Sequence, residues 1–389
     1  MTVTTSRRQF LQSSLLVGTT AVAGSIPSFG TVSPDGGEQS RIVEPIGDAT
    51  VISGNPRERG RQYGRLFADG IAEFLDREIV SALIKTPNQR DHAVRYAGAC
   101  WKVIRTECPE IADELEGMAE STGLRIEDHV LLTLHEELYH FGMLPPVSHC
   151  TAVAVGVPET RDDVTLVGQT WDWMPRVAGM SRMLEWKRTD GPSLLAYAFP
   201  GLWVGAGLNS AGLSLCWTSA ALGVSGQMPR IGLPAYVLLA HLLYQESLDA
   251  VRGFAERNRH AGWFTFAMGD ADGRLMNSEG SSDSVVVEET RGRLIRVGYG
   301  TSGMTRTPPG EIVKVHPRCN TMERLLANEA GTIDLGTMKQ SFADPDRGIC
   351  GKNTIDIMVY DTTHRTAHLS RGPKFGAGVA WTQYQFSPG

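Results

Sequence analysis

The sequence predicts an α+β fold in which sheets carry helices on their outer faces. Residues 50–145 are patterned mostly as helix, whereas past Cys150 short β-like runs recur with few helical stretches between them. Strands, then helices, then strands again fit sheets covered from outside. The 389 residues, 41% of them hydrophobic, are enough to bury a large core in one big domain or two.

Taken in order, the first thirty residues read as an export signal. Ser6-Arg7-Arg8-Gln9-Phe10-Leu11 is a twin-arginine pattern, and an apolar stretch at 15–22 leads to Ala21-Val22-Ala23, a small-x-small cleavage site. That stretch is far shorter than the roughly 18 residues of a membrane span. No Cys lies near the cut, so no stable membrane anchor is expected, and the protein is expected in the periplasm or outside the cell. Residues 31–49 belong to a stretch rich in Gly, Ser and Pro and read as a disordered leader.

Gly54-Asn55-Pro56 then opens a helix with Tyr63, Phe67, Ile71 and Phe74 at helical spacing. Further helices are expected over 92–105, from Pro109, and over 130–139, which makes 50–149 a helical lobe. β-like runs follow at 151–157, 164–167, 193–199, 212–218, 263–269, 284–289, 293–297, 354–360 and 366–370, with helices at 235–244, 247–257 and 321–330.

The net charge of −6 and the absence of a Lys/Arg cluster exclude a nucleic-acid field. Six scattered cysteines without a Cys-x-x-Cys argue against a disulfide scaffold or a thiolate zinc site, and Cys100 and Cys108 are expected to stay thiols. His135 and His140 are five apart rather than the four of a zinc helix, about 140° out of line. The Gly298-x-Gly300-x-x-Gly303 string leads to Pro308-Pro309 rather than a helix, so it is read as a loop. No Gly-x-Ser-x-Gly elbow occurs.

Cys150 is the remaining candidate nucleophile. It follows a polar, Pro-containing approach and opens the first β-like run, and a turn at 158–163 folds the next run back so that Asp172 comes beside it, with Thr151 adjacent. A structural half-buried Cys is the bland reading. A thiol nucleophile needs a base or a depressed pKa. One source is a distant His (His241, His260, His316 or His364), as in a papain-like protease. The other is the residue's own α-amine, titrating near 8, freed by cleavage of the preceding peptide bond.

The chain resembles the acyl-coenzyme A:6-aminopenicillanate acyltransferase family, the C45 autoproteolytic acyltransferases and hydrolases of the N-terminal-nucleophile superfamily. The matching stretches, in order, are Gly54-x-Pro56-x-Glu58-x-Gly60, Pro109 through Glu114-Leu115-Glu116-Gly117, Cys150-Thr151-Ala152, Gly168-Gln169-Thr170-Trp171-Asp172-Trp173, Gly207 through Leu213, Asp270 through Glu279, and Asp361 through Pro373. The resemblance implies a four-layer αββα sandwich over 150–389, with the lobe kept as a separate chain after cleavage. It also implies cutting between His149 and Cys150, Cys150 as nucleophile, Asp172 orienting and charge-balancing the new amine, and Arg318 before a helix; Thr151 is a local hydrogen-bond partner. No cofactor is expected, and the partner is a small acyl-amide substrate. The family's His-Thr-Asn-His element is replaced here by Tyr299-Gly300-Thr301-Ser302-Gly303, and Cys216-Trp217-Thr218-Ser219 stands where an Asn is frequent. Backbone N–H groups or Thr218 are the available replacements for that oxyanion donor. The rival from another class is an exported, non-catalytic binding protein on the same fold.

Overall fold

Local capping chemistry sets up the helical half of the chain. The computed structural model describes residues 44–139, 150–219, 229–298, 317–372, 375–376 and 378–388. Gly54 at φ +113° turns the chain out of β1 (Thr50–Gly54), and Asn55 caps α1 (Pro56–Phe74) in a reciprocal box with Glu58, with Pro56 in the first turn. A π-helical turn (Leu75–Val80) and the short α2 (Ser81–Leu83) lead to α3 (Pro87–Glu107), which Thr86 and Gln89 cap in the same way. Then come α4 (Pro109–Thr122), closed by Gly123 in the left-handed region, α5 (Ile126–Thr133) and α6 (His135–Leu138).

The α1 and α4 helices touch backbone to backbone. A Cβ on Gly60 would lie 2.0 Å from the Glu114 carbonyl oxygen, and one on Gly117 would lie 2.3 Å from that of Arg57. This close approach buries Arg59 against Glu114 and Glu110 at 2.6 Å each.

The remaining strands are β2 (Thr151–Val155), β3 (Leu166–Asp172), β4 (Arg182–Arg188), β5 (Leu194–Phe199), β6 (Leu202–Asn209), β7 (Leu213–Ser219), β8 (Phe264–Asp270), β9 (Leu275–Gly280), β10 (Val285–Thr290), β11 (Arg293–Val297), β12 (Thr354–Asp361), β13 (Thr366–Arg371) and β14 (Thr382–Gln385). Among the described residues they form an eight-stranded sheet, β1-β4-β5-β6-β7-β8-β9-β10, and a six-stranded one, β11-β2-β3-β12-β13-β14. The α7 (Ala235–Leu243) and α8 (Leu248–Arg257) helices cover the first sheet; α9 (Pro317–Asn328) and α10 (Leu335–Ala343) cover the second. The result is the four-layer αββα sandwich.

Strands β4, β6, β9, β14 and helix α10 lie outside the expected runs. Strand β6 carries two glycines and β9 reads Leu-Met-Asn-Ser-Glu-Gly, yet both are buried throughout, so neither shows an alternating apolar pattern. The 50–149 segment is not purely helical: β1 pairs in parallel with β4, and residues 44–389 form one compact unit. The end of the expected leader is also held in place. Pro45 and Gly47 exchange main-chain bonds with Gln383, and Glu44 is bound by Lys339 and by His368 Nδ1.

The inter-helix contact predicts that Gly60→Ala lowers stability by about 1–3 kcal/mol, read as a drop in Tm, because backbone stands where the methyl would go. Burial alone would raise the Glu44 carboxyl, but bonds from His368 and Lys339 outweigh it and hold it at about 2, against an ordinary 4.5. A depressed pKa stabilises above the unfolded value. The stability difference between the protein and Glu44→Gln should therefore be full above pH 4.5 and vanish as pH falls to about 2, measured by denaturant titration at stepped pH.

Candidate active site

Strand register assembles the site. Thr151 of β2 pairs with Thr170 of β3, and Asp172 at the end of β3 pairs on its other side with Thr354 of β12. Cys150, one residue before β2, is half-buried and meets the Asp172 main chain. The Asp172 N–H donates to Cys150 Sγ at 3.4 Å, and Sγ lies 3.9 Å from the Asp172 carbonyl oxygen. The sulfur is thus held at the end of β3 by a main-chain N–H.

The Asp172 carboxylate is clamped from two sides. Thr354 Oγ1 donates to Oδ1 at 2.6 Å, and its own orientation is set by the Gly351 N–H at 2.9 Å. Arg318, in the first turn of α9, pairs with Oδ2, and a Cβ on Gly351 would crowd its guanidinium at 3.1 Å. Burial pushes the Asp172 carboxyl above the ordinary range, with Arg318 and the Thr354 bond opposing it. Burial, and next the Asp172 carboxylate, push the Cys150 thiol well up, so the sulfur is protonated at neutral pH.

The structure brings Cys150, Asp172 and Arg318 together. Thr151 lies on the Asp172 face of the sheet, opposite that of Cys150, and its Oγ1 has no partner among the described residues. His149 lies outside the described residues, as do the twin-arginine segment, residues 299–303 and His316. The other candidate histidines do not serve the thiol. His241 lies against Phe254 with ring centroids 3.9 Å apart, His260 is buried against Phe264 and Phe266, and His364 bonds Asp361 at 2.8 Å. Burial lowers His241 and His260 to about 4. Thr218 accepts from the Gly298 N–H at 3.2 Å.

Thr354 was missed from sequence because nothing local marks it; only its register opposite Asp172 gives it a role. Gln169 stands out in the sequence only as part of the Gly168–Trp173 motif. Strands β6 and β7 pair solely through Gly207↔Leu215 and Leu208↔Ser214, then part toward the Cys150 end. Trp171 enters the opening against Gly205, Tyr197 and Trp217, and Gln169 Oε1 accepts the Trp217 N–H at 2.8 Å. Trp173 and Phe199 extend this aromatic wall, and the lobe adds His135, whose ring lies 4.7 Å from that of Trp173.

No protein-family model and no curated protein matches the sequence. Among solved structures, the chain is similar to conjugated bile acid hydrolase from Clostridium perfringens, with 11% identity over 61% of this chain and 97% of that one and a TM-score of 0.37. It is similar to penicillin V acylase from Agrobacterium tumefaciens, with 13% identity over 58% of this chain and 84% of that one, TM-score 0.37. Thermostable penicillin G acylase from Alcaligenes faecalis matches with 7% identity over 49% of this chain and 51% of that one, TM-score 0.38.

Removing one partner of a buried ion pair costs about 3–5 kcal/mol. Arg318→Met should therefore lower stability on that scale, and adding Asp172→Asn should restore part of the loss, since the stranded charge is then gone; thermal melts of the two variants measure both effects.

Proposed function

We propose that this chain is a self-processing cysteine N-terminal-nucleophile amidohydrolase or acyltransferase, which takes the acyl group of a small N-acyl amide or peptide-like substrate as a thioester on Cys150. The reading rests on one observation: the Cys150 thiol precedes a buried strand, bonded to the main chain of a clamped carboxylate, with no imidazole among its hydrogen-bond partners in the described residues. A protonated thiol requires a base close by. The residue's own α-amine, free after cleavage and titrating near 8, is within reach by covalent geometry.

In processing, Cys150 Sγ attacks the His149 carbonyl carbon, the C–N bond breaks, and the nitrogen takes the thiol proton. Water then hydrolyses the thioester, leaving a carboxylate on His149 and a free thiol and amine on Cys150. Asp172 neutralises the new ammonium when it is protonated. In turnover the free amine takes the thiol proton, sulfur attacks the substrate carbonyl, and the protonated amine supplies a proton to the departing nitrogen. Water or an amine then accepts the acyl group.

The reading extends to twin-arginine export to the periplasm or exterior, with the lobe retained as a bound chain and no cofactor, nucleic acid or membrane anchor involved. Retention is supported by the polar ties of the lobe: Glu114 accepts from Trp186 at 3.0 Å and Tyr244 at 2.7 Å, and Glu78 accepts from Arg176 at 2.7 Å.

N-terminal sequencing of the purified protein should find a new start at Cys150-Thr151-Ala152-Val153, with both chains co-eluting. Cys150→Ala should remain one chain and be inactive, and kcat/KM should rise with pH through about 8 as the amine deprotonates. A single intact chain with full activity would falsify the reading.

A further inference from the structure

The hydroxyl of Thr170 touches both halves of the site. Thr170 is fully buried opposite Thr151 in the pairing of β2 with β3, and it shares a face of β3 with Asp172. The Thr151 main-chain N–H donates to Thr170 Oγ1 at 3.1 Å. That N–H belongs to the peptide unit joining Cys150 to Thr151, so the bond grips the residue that carries the thiol. A hydroxyl oxygen that accepts in this way keeps its own proton to donate. Thr170 gives that proton to the Asp172 carboxylate, where the bond opposes the effect of burial. The hydroxyl of Thr151, which the sequence singles out, is the one left without a partner among the described residues. Its cross-strand neighbour makes the link instead.

Three donors therefore converge on one carboxylate: Thr354 Oγ1 from β12 at 2.6 Å, Arg318 from α9, and Thr170 from β3 itself. The other titratable groups that face Asp172 are the thiols of Cys150 and Cys350, and Glu136 of the lobe acts on Cys150 in turn. Each donor draws charge from the carboxylate, and a carboxylate that keeps more of its charge holds a neighbouring ammonium more tightly. Both ties to β3, the sulfur on the Asp172 N–H and the 150–151 peptide on Thr170, survive a cut before Cys150.

We infer that Thr170 is a positioning residue: its hydroxyl joins the Cys150–Thr151 peptide and the Asp172 carboxylate in one chain of hydrogen bonds, and so sets how firmly that carboxylate grips the Cys150 amine. This rests on the function proposed above and assigns it a further residue. Loss of a threonine that merely packs would move the titration of neither group.

The test follows two groups by carbon NMR in the full chain. In Cys150→Ala protein, aspartate labelled at its carboxyl reads the Asp172 midpoint, identified by its loss in Asp172→Asn. Thr170→Val should raise that midpoint by at least about half a pH unit, because one donor is gone, and Thr170→Ser should leave it in place. In the processed protein, cysteine labelled at Cα reads the Cys150 amine. Thr170→Val should raise the amine midpoint by about half a pH unit, which lowers the free amine at pH 7 about threefold, and Thr170→Ser should restore it. Thr170→Ala takes the place of valine in both arms if the valine protein does not fold. An Asp172 midpoint unmoved by loss of the hydroxyl overturns the inference whatever becomes of the function. A shifted carboxyl with an unmoved amine also overturns it, while self-cleavage stands. A chain that is never cut, with the Asp172 midpoint shifted as expected, overturns the proposed function and the part played by the amine, and the tether between Thr170 and Asp172 stands.

Discussion

The site depends on the register of β2 against β3. With Thr151 opposite Thr170, Cys150 falls beside Asp172, its sulfur accepts the Asp172 N–H, and Ala152 and Gln169 face the other sheet. A slip of one residue would exchange the faces of the strand, sending Cys150 toward α9 and α10 and burying Thr151 between the sheets. Packing forbids the slip: Val153 and Val155 lie with Met322, Leu326 and Phe342 on the helix side, and Ala152 and Ala154 lie in the other core. The same pairings carry Thr354 to the opposite flank of Asp172, so thiol, carboxylate and clamp follow from one alignment.

The lobe is attached by a second, electrically balanced assembly. Arg59 and Arg188 meet Glu110 and Glu114, and Trp186 and Tyr244 complete the hydrogen bonds of Glu114. Such a buried set is weak as a source of stability but strict about geometry. It explains why glycines occur at 60 and 117, since only a backbone crossing lets Arg59 reach both carboxylates. Glu137 does similar work nearer the site, accepting the Ala235 N–H at the start of α7.

Much of this was legible in the chain. The prolines at helix starts and the amphipathic runs marked the helices of the lobe, and β11 was read with its observed bounds. Cys150 and Asp172 could be paired because a hairpin is a local structure. Arg318 needed the family resemblance, and Thr354 could not be found at all, because its role comes from a pairing 182 residues away in sequence. Strand β9 was illegible for a physical reason: its residues are buried yet polar, since Asn277 and Glu279 bond Thr265 and Trp263 rather than packing as hydrocarbon. Alternation rules look for oil facing inward, and here the inward face is hydrogen-bonded.

The brief pairing of β6 with β7 divides the larger sheet mechanically. On one side lie β1, β4, β5 and β6 and on the other β7, β8, β9 and β10, joined by the register pairs 207↔215 and 208↔214. What is drawn as one continuous sheet is two four-stranded leaves on a short hinge, with the Gln169 carboxamide of the facing sheet tied to the β7 leaf. Spreading the leaves at the Cys150 end breaks few ladder bonds, so the molecule can widen there while every other strand pairing stays intact.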